Sequence, residues 1–104
     1  TPSAPTGDTI GTGPVRVALI APLTQGSGQS VVGASLRNAV DLAVAETGAN
    51  DITVLVKDDR GAADGARDAA QAAVNEGAEL ILGPLFASGV REAGRVARAG
   101  AEAW

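Results

Sequence analysis

One pattern constrains the fold of this chain more than any other: an apolar strand, a short polar loop and a helical pattern follow one another three times. The first strand, residues 15–23, is an apolar run broken only by Arg16, which is typical of a strand covered on both faces. The second and third strands are predicted at residues 51–57 and 79–82. Strands that alternate with helices over short connections predict parallel pairing with right-handed crossovers.

Each predicted helix is bounded by residues typical of helix ends. The predicted N-caps are Ser30, Asp64 and Ser88, and the predicted stops are Gly48, Gly77 and Gly100. The inward face of the first helix is predicted to carry Val32, Leu36, Ala39, Val40 and Ala43, and that of the third helix Val90, Ala93, Gly94 and Ala97. An outer stripe of the third helix holds Arg91, Arg95 and Arg98.

The predicted fold class is α/β, a three-layer αβα arrangement around a parallel sheet of strand order 2-1-3, as in flavodoxin-like folds. This order places the first helix on one face of the sheet and the other two helices on the opposite face. It also creates a switch point between the first and third strands. The loops 24–30 and 83–88 are therefore expected to lie side by side at the mouth of one crevice.

The segment before the first strand has a different composition. Residues 1–14 hold three of the five prolines of the chain and a single large apolar residue, Ile10. Such a segment cannot bury enough surface to offset the entropy of ordering, so it is predicted to be a flexible leader before a domain of residues 15–104. The absence of Met favours a processed or excised piece whose export signal has been removed.

Composition excludes several classes of function. A net charge of −4 and only two aromatic residues, Phe86 and Trp104, argue against a nucleic-acid partner, which requires a basic patch with stacking aromatics. Without Cys or His, the chain offers no thiol nucleophile, Ser-His-Asp triad or ordinary zinc site, so no cofactor or metal is predicted. It also has no apolar run of the roughly 18 residues that a membrane span requires.

The loop after the first strand is the main candidate site. Its polar side chains, Gln25, Ser27, Gln29 and Ser30, accompany backbone N–H groups and a helix N-terminus, which together attract an anionic or strongly polar ligand group. The alternative is a loop that only turns and caps its helix. Ser88 and Gly89 repeat the arrangement at the third helix, with the same alternative. The glycine spacing fits neither a dinucleotide fingerprint nor a Walker loop.

The acidic pair Asp58 and Asp59 ends the second strand. A phosphorylation or magnesium site of the receiver type would need further acids at the end of the first strand, where Ala21, Pro22 and Leu23 stand instead. The pair is therefore predicted to form a turn, with one carboxylate bonded to the backbone of the next loop.

Three segments resemble a known family: VALIAPLTQGSGQSVVGASLRNAVDLAVAE, then VLVKDDRG, then AAQAAVNEGAELILGPLFASGV. Together they resemble the amino-terminal lobe of type I periplasmic binding proteins of the leucine-binding-like group, over about residues 15–100. The segment GAELILGPLFASGVREAGRVARA is most similar to the penicillin-binding protein activators, bacterial lipoproteins that use this fold beside peptidoglycan synthases.

This resemblance implies a non-enzymatic protein with two α/β lobes that close on a ligand. It places ligand contacts at Gln29 and Ser30, and at Ala87, Ser88 and Gly89. If the protein is an ABC-transporter substrate-binding protein, the implied partner is a small polar molecule, amino-acid or peptide-like. If it is an activator, the implied partner is a peptidoglycan synthase. The implied location is the periplasm or an outer-membrane anchor. Two alternatives stay open: a small flavodoxin-like nucleotide-binding enzyme domain, and a truncated scaffold without a ligand.

The sequence departs from the family after the third helix. The family continues with a fourth strand of the type G-V-P-V-I and a second lobe, whereas here Gly100 is followed by Ala-Glu-Ala-Trp. The expectation is a lobe truncated after the third helix, whose third strand exposes an unpaired edge. This edge and Trp104 are predicted to be covered by a second copy of the chain or by another segment.

Overall fold

The structure is a computed structural model that describes residues 4–5, 7–25, 28–48 and 50–102. Within these ranges a four-stranded sheet of order β1-β5-β2-β6 is formed by β1 (Thr9–Gly11), β2 (Val15–Ala21), β5 (Ile52–Asp58) and β6 (Ala78–Leu82). A two-stranded hairpin is formed by β3 (Thr24–Gln25) and β4 (Gly28–Gln29), and the helices are α1 (Val31–Thr47), α2 (Ala63–Asn75) and α3 (Ala87–Glu102).

The three predicted strands pair as expected. Strand β2 lies between β5 and β6 and is parallel to both, with Ala18 opposite Leu55 in one pair and Leu19 opposite Leu82 in the other. The predicted order 2-1-3 is therefore confirmed. Central β2 is almost entirely enclosed over Ala18–Ala21, because both of its backbone edges are paired and both of its faces are covered.

Two apolar clusters show how the layers pack. On one face, Leu19, Val54 and Val56 pack with Ile10 and with side chains of α1 that include Val40 and Val44. On the other face, Ile20 packs with residues of the other two helices, Ala69 and Ala70 of α2 and Ala93 of α3. The αβα layering is thus confirmed, with α1 on one side of the sheet and α2 and α3 on the other.

Small residues bring α2 and α3 close together. A Cβ added at Gly89 would lie 3.1 Å from the Cβ of Ala66, and one added at Gly100 would lie 2.7 Å from Cγ1 of Val74. Interiors tolerate few voids, so closely spaced helices supply the packing that larger side chains would otherwise provide. The Ala-rich composition of α2 is suited to this interface.

The flexible leader predicted for residues 1–14 is wrong at Thr9–Gly11, which form β1. This strand pairs antiparallel with β5, placing Ile10 opposite Val54, so the sheet is mixed rather than purely parallel. Ile10 is only 5% exposed and joins the α1-side core. A polar segment with one apolar residue can still be ordered when that residue occupies the buried position of an edge strand. Composition alone does not reveal this.

A charged contact also holds the segment before β2 against α1. The carboxylate of Asp8 accepts a hydrogen bond of 2.6 Å from Nε of Arg37. This bond is the main cause that lowers the pKa of Asp8 from its ordinary value. Because both side chains are partly exposed, the contact adds little stability.

The predicted helix ends are confirmed at α1, but they are wrong at two other N-termini and at the end of α3, which continues past Gly100 to Glu102. Ser30 caps α1 by accepting a bond of 3.3 Å from the N–H of Gly33, and Gly48 ends it in the left-handed conformation. Helix α2 instead begins at Ala63, so Asp64 lies inside its first turn. Helix α3 begins at Ala87, which makes Ser88 its second residue rather than its cap.

The predicted inward faces are correct only in part. Ala93 is 4% exposed, as expected, but Val90 of the same face is 48% exposed and Val32 of α1 is 55% exposed. Periodicity places these residues on the apolar side of each helix, yet in the described part of the chain no element covers them. An apolar stripe can therefore be wider than the surface available to bury it.

Candidate functional site

The candidate site lies where β2 and β6 end. Because these parallel strands are neighbours and Leu19 pairs with Leu82, their carboxyl ends meet at one edge of the sheet. The first loop, residues 22–30, leads from β2 to α1 on one face, whereas residues 83–86 lead from β6 to α3 on the other. Chain connections that diverge in this way mark the switch point of the sheet, and the carboxyl edge at a switch point is the usual ligand position in α/β sheets.

The first loop is shaped by backbone pairing. Its hairpin pairs Thr24 with Gln29 and Gln25 with Gly28. The N–H of Ser30 donates to the carbonyl oxygen of Leu23 at 2.8 Å, which brings the two ends of the loop together. The loop therefore returns the chain to the end of β2 before α1 begins.

The start of α1 lies tightly against the end of β2. Ser30 is 6% exposed, and its hydroxyl accepts the helix-capping bond from Gly33. Gly33 is buried as well, and a Cβ there would overlap the carbonyl group of Pro22. The capping hydroxyl of α1 is thus bound within the protein, whereas Val31 and Val32 of its first turn are 80% and 55% exposed.

The carboxylate of Asp58 joins the end of β5 to the first loop. Its Oδ1 accepts hydrogen bonds from the backbone N–H groups of Leu23 at 3.0 Å, Thr24 at 3.2 Å and Arg60 at 2.9 Å. Its Oδ2 accepts from the hydroxyl of Thr24 at 2.6 Å. Burial by itself would raise the pKa of Asp58, but the bonds from Thr24, Arg60 and Leu23 outweigh it and lower that pKa below its ordinary value.

Asp59, the next residue, has a different role. It is 1% exposed and its carboxylate accepts from the N–H of Gly61 at 2.8 Å, within its own turn. Its backbone N–H donates to the carbonyl oxygen of Ala21 at 3.1 Å. The predicted turn is confirmed. Asp58 also binds Leu23 and Thr24 of the loop that follows β2. These residues come 35 and 34 positions earlier in the chain, and sequence reasoning did not specify the contact.

The start of α3 carries an exposed serine, unlike the buried Ser30 that precedes α1. Ala87 and Ser88 are exposed, whereas Gly89 is buried against Ala66 and Pro84. Gly89 therefore has a packing function here. Ser88 presents its hydroxyl to solvent at the carboxyl edge of the sheet.

The predicted site residues fall into three groups. Ser30, Ala87, Ser88 and Gly89 lie at the starts of the two helices that follow β2 and β6. Gln25 and Gln29 belong to the hairpin of the first loop, and Ser27 lies outside the described residues. Ligand contact at all seven positions stays a prediction.

The match to known families decides the relationship of this chain. A family model described as periplasmic binding protein matches residues 14–101, from just before β2 to near the end of α3. The chain belongs to the periplasmic binding protein family. No curated protein and no solved structure shows a significant match to it. The resemblance to type I periplasmic binding proteins is thereby confirmed at the level of the superfamily.

Family membership adds general properties to the geometry. The periplasmic binding protein family is generally non-enzymatic, and it points to small-molecule binding and to a periplasmic location. Among the described residues there is no cluster of His, Cys, Asp or Glu suited to a metal ion. None of the helices in the described ranges is long and apolar enough to cross a membrane.

A groove of about 520 Å³ lies elsewhere on the periplasmic binding protein domain, along β6. Its lining includes Val74 of α2, Leu80 and Ile81 of β6, and Ala97 and Gly100 of α3. The described candidates Ser30, Ala87, Ser88 and Gly89 do not line it. The groove therefore belongs to the side of β6 and not to the carboxyl edge of the sheet.

A buried ion pair joins the sheet to the end of α2, and sequence reasoning missed it. Nζ of Lys57 lies 2.7 and 2.8 Å from the two carboxylate oxygens of Glu76, with the side chains 7% and 4% exposed. Arg16 donates to the carbonyl oxygen of Glu76 at 2.6 Å. Removing one member of such a pair leaves a buried unpaired charge and costs about 3–5 kcal/mol, so neither Lys57 nor Glu76 can be replaced alone without a loss of stability. The available signal was a lysine inside an apolar strand.

Proposed function

We propose that this chain is a non-enzymatic ligand-binding lobe that holds a small polar molecule, amino-acid or peptide-like, at the carboxyl edge of β2 and β6. The observation that supports the proposal is that β2, which leads into the first loop, and β6, which leads to the exposed start of α3, end at the same edge of the sheet in a periplasmic binding protein fold. The exposed hydroxyl of Ser88 and the N–H groups of the first turn of α3 suit a carboxylate or other polar group. Binding would need no covalent chemistry.

Thermal shift with three sets of compounds tests this function. The sets are the free L-amino acids, nucleotides including ATP and NAD, and a disaccharide tripeptide muropeptide. We expect a rise in Tm with a compound of the first or third set, because binding to the native state alone stabilises it. A response to nucleotides alone would contradict the proposal and favour the flavodoxin-like enzyme alternative. No response to any set would favour a scaffold without a ligand.

A matched pair of serine variants locates the site. Ser88→Ala removes an exposed hydroxyl at the start of α3, and Ser35→Ala removes an exposed hydroxyl within α1. Since one hydrogen bond contributes about 0.5–1.5 kcal/mol, Ser88→Ala should weaken binding about 2- to 10-fold in calorimetry. Ser35→Ala should leave the affinity unchanged. Equal affinities for both variants would place the ligand elsewhere.

Within the family, we propose the activator type, which docks on a peptidoglycan synthase, in preference to the transport type. Its support is the likeness of residues 77–99 to activators, and Ala87 at a position where amino-acid binders often carry a hydroxyl. The exposed Arg91, Arg95 and Arg98 of α3 could meet acidic groups of the synthase. Such a role implies a periplasmic lipoprotein anchored to the outer membrane.

Capture of a bifunctional penicillin-binding protein by the immobilised chain tests the activator type. We expect retention that decreases when Arg91 and Arg98 are both changed to Glu, since charge complementarity directs such encounters. The control is Arg67→Glu, an exposed arginine of α2. Failure to retain the synthase, together with a Tm response to amino acids, would favour the transport type instead.

We also propose that a second copy of the chain pairs with the outer edge of β6. No described strand pairs with that edge, and Leu80 and Leu82 are 54% and 42% exposed beside it. An uncovered apolar edge favours association with another strand. Antiparallel pairing centred on Leu80 would set Glu79 opposite Ile81 of the second copy, so that the two Glu79 carboxylates avoid each other. The predicted contribution of Trp104 lies outside the described residues.

Sedimentation velocity tests the pairing. The wild type should form a dimer at high concentration, and Leu80→Lys should return it to a monomer because lysine protects sheet edges. Leu42→Lys, at an exposed leucine of α1 that is 60% exposed, is the matched control and should leave the dimer intact. A wild-type monomer at high concentration would contradict the pairing.

A further inference from the structure

We propose that Asp58 is the positioning residue of the candidate binding edge: its carboxylate holds the first loop, and through that loop the start of α1, in the arrangement that receives a ligand. The effect on ligand rests on the proposed function, whereas the effect on the loop stands on its own. Asp58 was predicted only as part of a turn, but it binds a segment that comes 34 to 35 residues earlier in the chain.

A continuous series of hydrogen bonds runs from β5 to α1. Asp58 accepts from the N–H of Leu23, the carbonyl oxygen of Leu23 accepts from the N–H of Ser30 at 2.8 Å, and the carbonyl oxygen of Ser30 accepts from the N–H of Ala34 at 3.0 Å. Each bond joins a different part of the edge: strand to loop, loop start to loop end, and loop end to helix. A displacement at Leu23 would therefore move Ser30 and the first turn of α1.

A carboxylate is suited to this position because several donors converge on it. Three backbone N–H groups, from Leu23, Thr24 and Arg60, point at Oδ1, while the hydroxyl of Thr24 donates to Oδ2. Charged acceptors make hydrogen bonds about twice as strong as neutral ones. The two oxygens thus hold both the backbone and the side chain of Thr24, at the residue where the hairpin of the first loop begins.

Asp59 shows that this function belongs to one carboxylate and not to the acidic turn in general. Its side chain accepts from Gly61 in its own turn. Asp59→Asn is therefore a matched control for Asp58→Asn: adjacent residue, same turn and same chemical change. Only Asp58→Asn alters a group that holds the first loop.

Amide hydrogen exchange of the unliganded chain tests the positioning directly. In Asp58→Ala, exchange at Leu23, Thr24 and Ser30 should accelerate about 10-fold relative to Leu55, which reports the central sheet. Asp58→Asn and Thr24→Val should give smaller accelerations at the same amides, because each keeps part of the contact. They keep the test informative if the alanine variant does not fold. In Asp59→Asn, exchange at these three amides should not accelerate more than exchange at Leu55. Unchanged relative exchange at the three amides in the Asp58 variants would overturn the proposal.

Calorimetry measures the effect of the Asp58 variants on ligand affinity. The compound used is the one with the largest Tm response among the L-amino acids and the disaccharide tripeptide. Asp58→Ala should weaken its Kd about 10-fold, since the loss of a charge-assisted contact loosens the loop. Asp58→Asn should lie between Asp58→Ala and the wild type. Equal Kd values for the wild type and Asp58→Ala would overturn the positioning role. If no compound binds while exchange accelerates as expected, the loop inference is supported and the proposed function fails.

Discussion

Two of the helices that start at the carboxyl edge of the sheet, α1 and α3, begin in different ways. At α1, the hydroxyl of Ser30 caps the helix, Gly33 lies against the backbone of Pro22, and the first loop is held by Asp58. At α3, Ala87 and Ser88 are exposed, and packing begins only with Gly89. The two helix starts thus differ in their serines: the hydroxyl of Ser30 is buried and bonded within the fold, whereas Ser88 is exposed.

The largest loss of stability is expected from a substitution that disrupts the close contact between α1 and the end of β2. Gly33→Ala places a Cβ where the carbonyl group of Pro22 lies, and backbone cannot move aside as a flexible side chain can. Overpacking of this kind costs typically 1–3 kcal/mol, and we expect about 3 kcal/mol here in urea unfolding. The companion Gly89→Ala meets the Cβ atoms of Ala66 and Pro84 at 3.1 and 3.2 Å, which requires a smaller shift. Equal losses at the two glycines would refute the contrast between the helix starts.

A smaller effect comes from the capping hydroxyl of α1. Ser30→Ala removes the acceptor for the N–H of Gly33, so the free energy of unfolding should fall by about 1 kcal/mol. Chemical denaturation measures it. Ser30→Asp, which restores a capping oxygen, should recover part of the loss, and an unchanged stability in Ser30→Ala would show that the cap does not contribute.

Acid should loosen the α1 side of the edge before the sheet itself. The pKa of Asp58 is lowered in the folded state, so its contribution to stability is complete above the ordinary value of 3.8 and is lost as pH falls through the lower folded value. Below pH 4 the wild type should lose stability more steeply than Asp58→Asn, which has no proton to gain at this position. Unfolding midpoints measured from pH 7 to pH 2 compare the two slopes. Parallel slopes would contradict the assignment.

The smallest effect on stability is expected at α3. Ser88→Ala changes an exposed residue that does not cap its helix, so stability should stay within about 0.5 kcal/mol of the wild type. The same variant should weaken ligand binding, as proposed above. If Ser88→Ala lost stability and kept its affinity for ligand, the start of α3 would contribute to stability and not to binding, which would contradict the comparison.

Local patterns in the sequence were sufficient for much of this fold. The apolar run that leads into β2, the caps Ser30 and Gly48, and the small residues of α2 each depend on neighbours within a few positions. From them follow the strand order, the αβα layers and the location of the edge where β2 and β6 end. The site residues Gln25, Ser27, Gln29, Ser30, Ala87, Ser88 and Gly89 were chosen from the same local patterns, which indicate polarity and helix starts but not exposure.

Tertiary structure decided what depends on partners far apart in the chain. Ile10 is buried because β5 offers an edge to pair with, Lys57 is tolerated in an apolar strand because Glu76 arrives beside it, and Asp58 acquires its function because the end of β2 lies next to the end of β5. Secondary structure and helix capping depend mainly on interactions between residues that are close together in the sequence, so a short segment is enough to predict them. The burial of Ser30, the exposure of Ser88 and the partner of each charge depend on how the layers pack, so only the folded chain determines them.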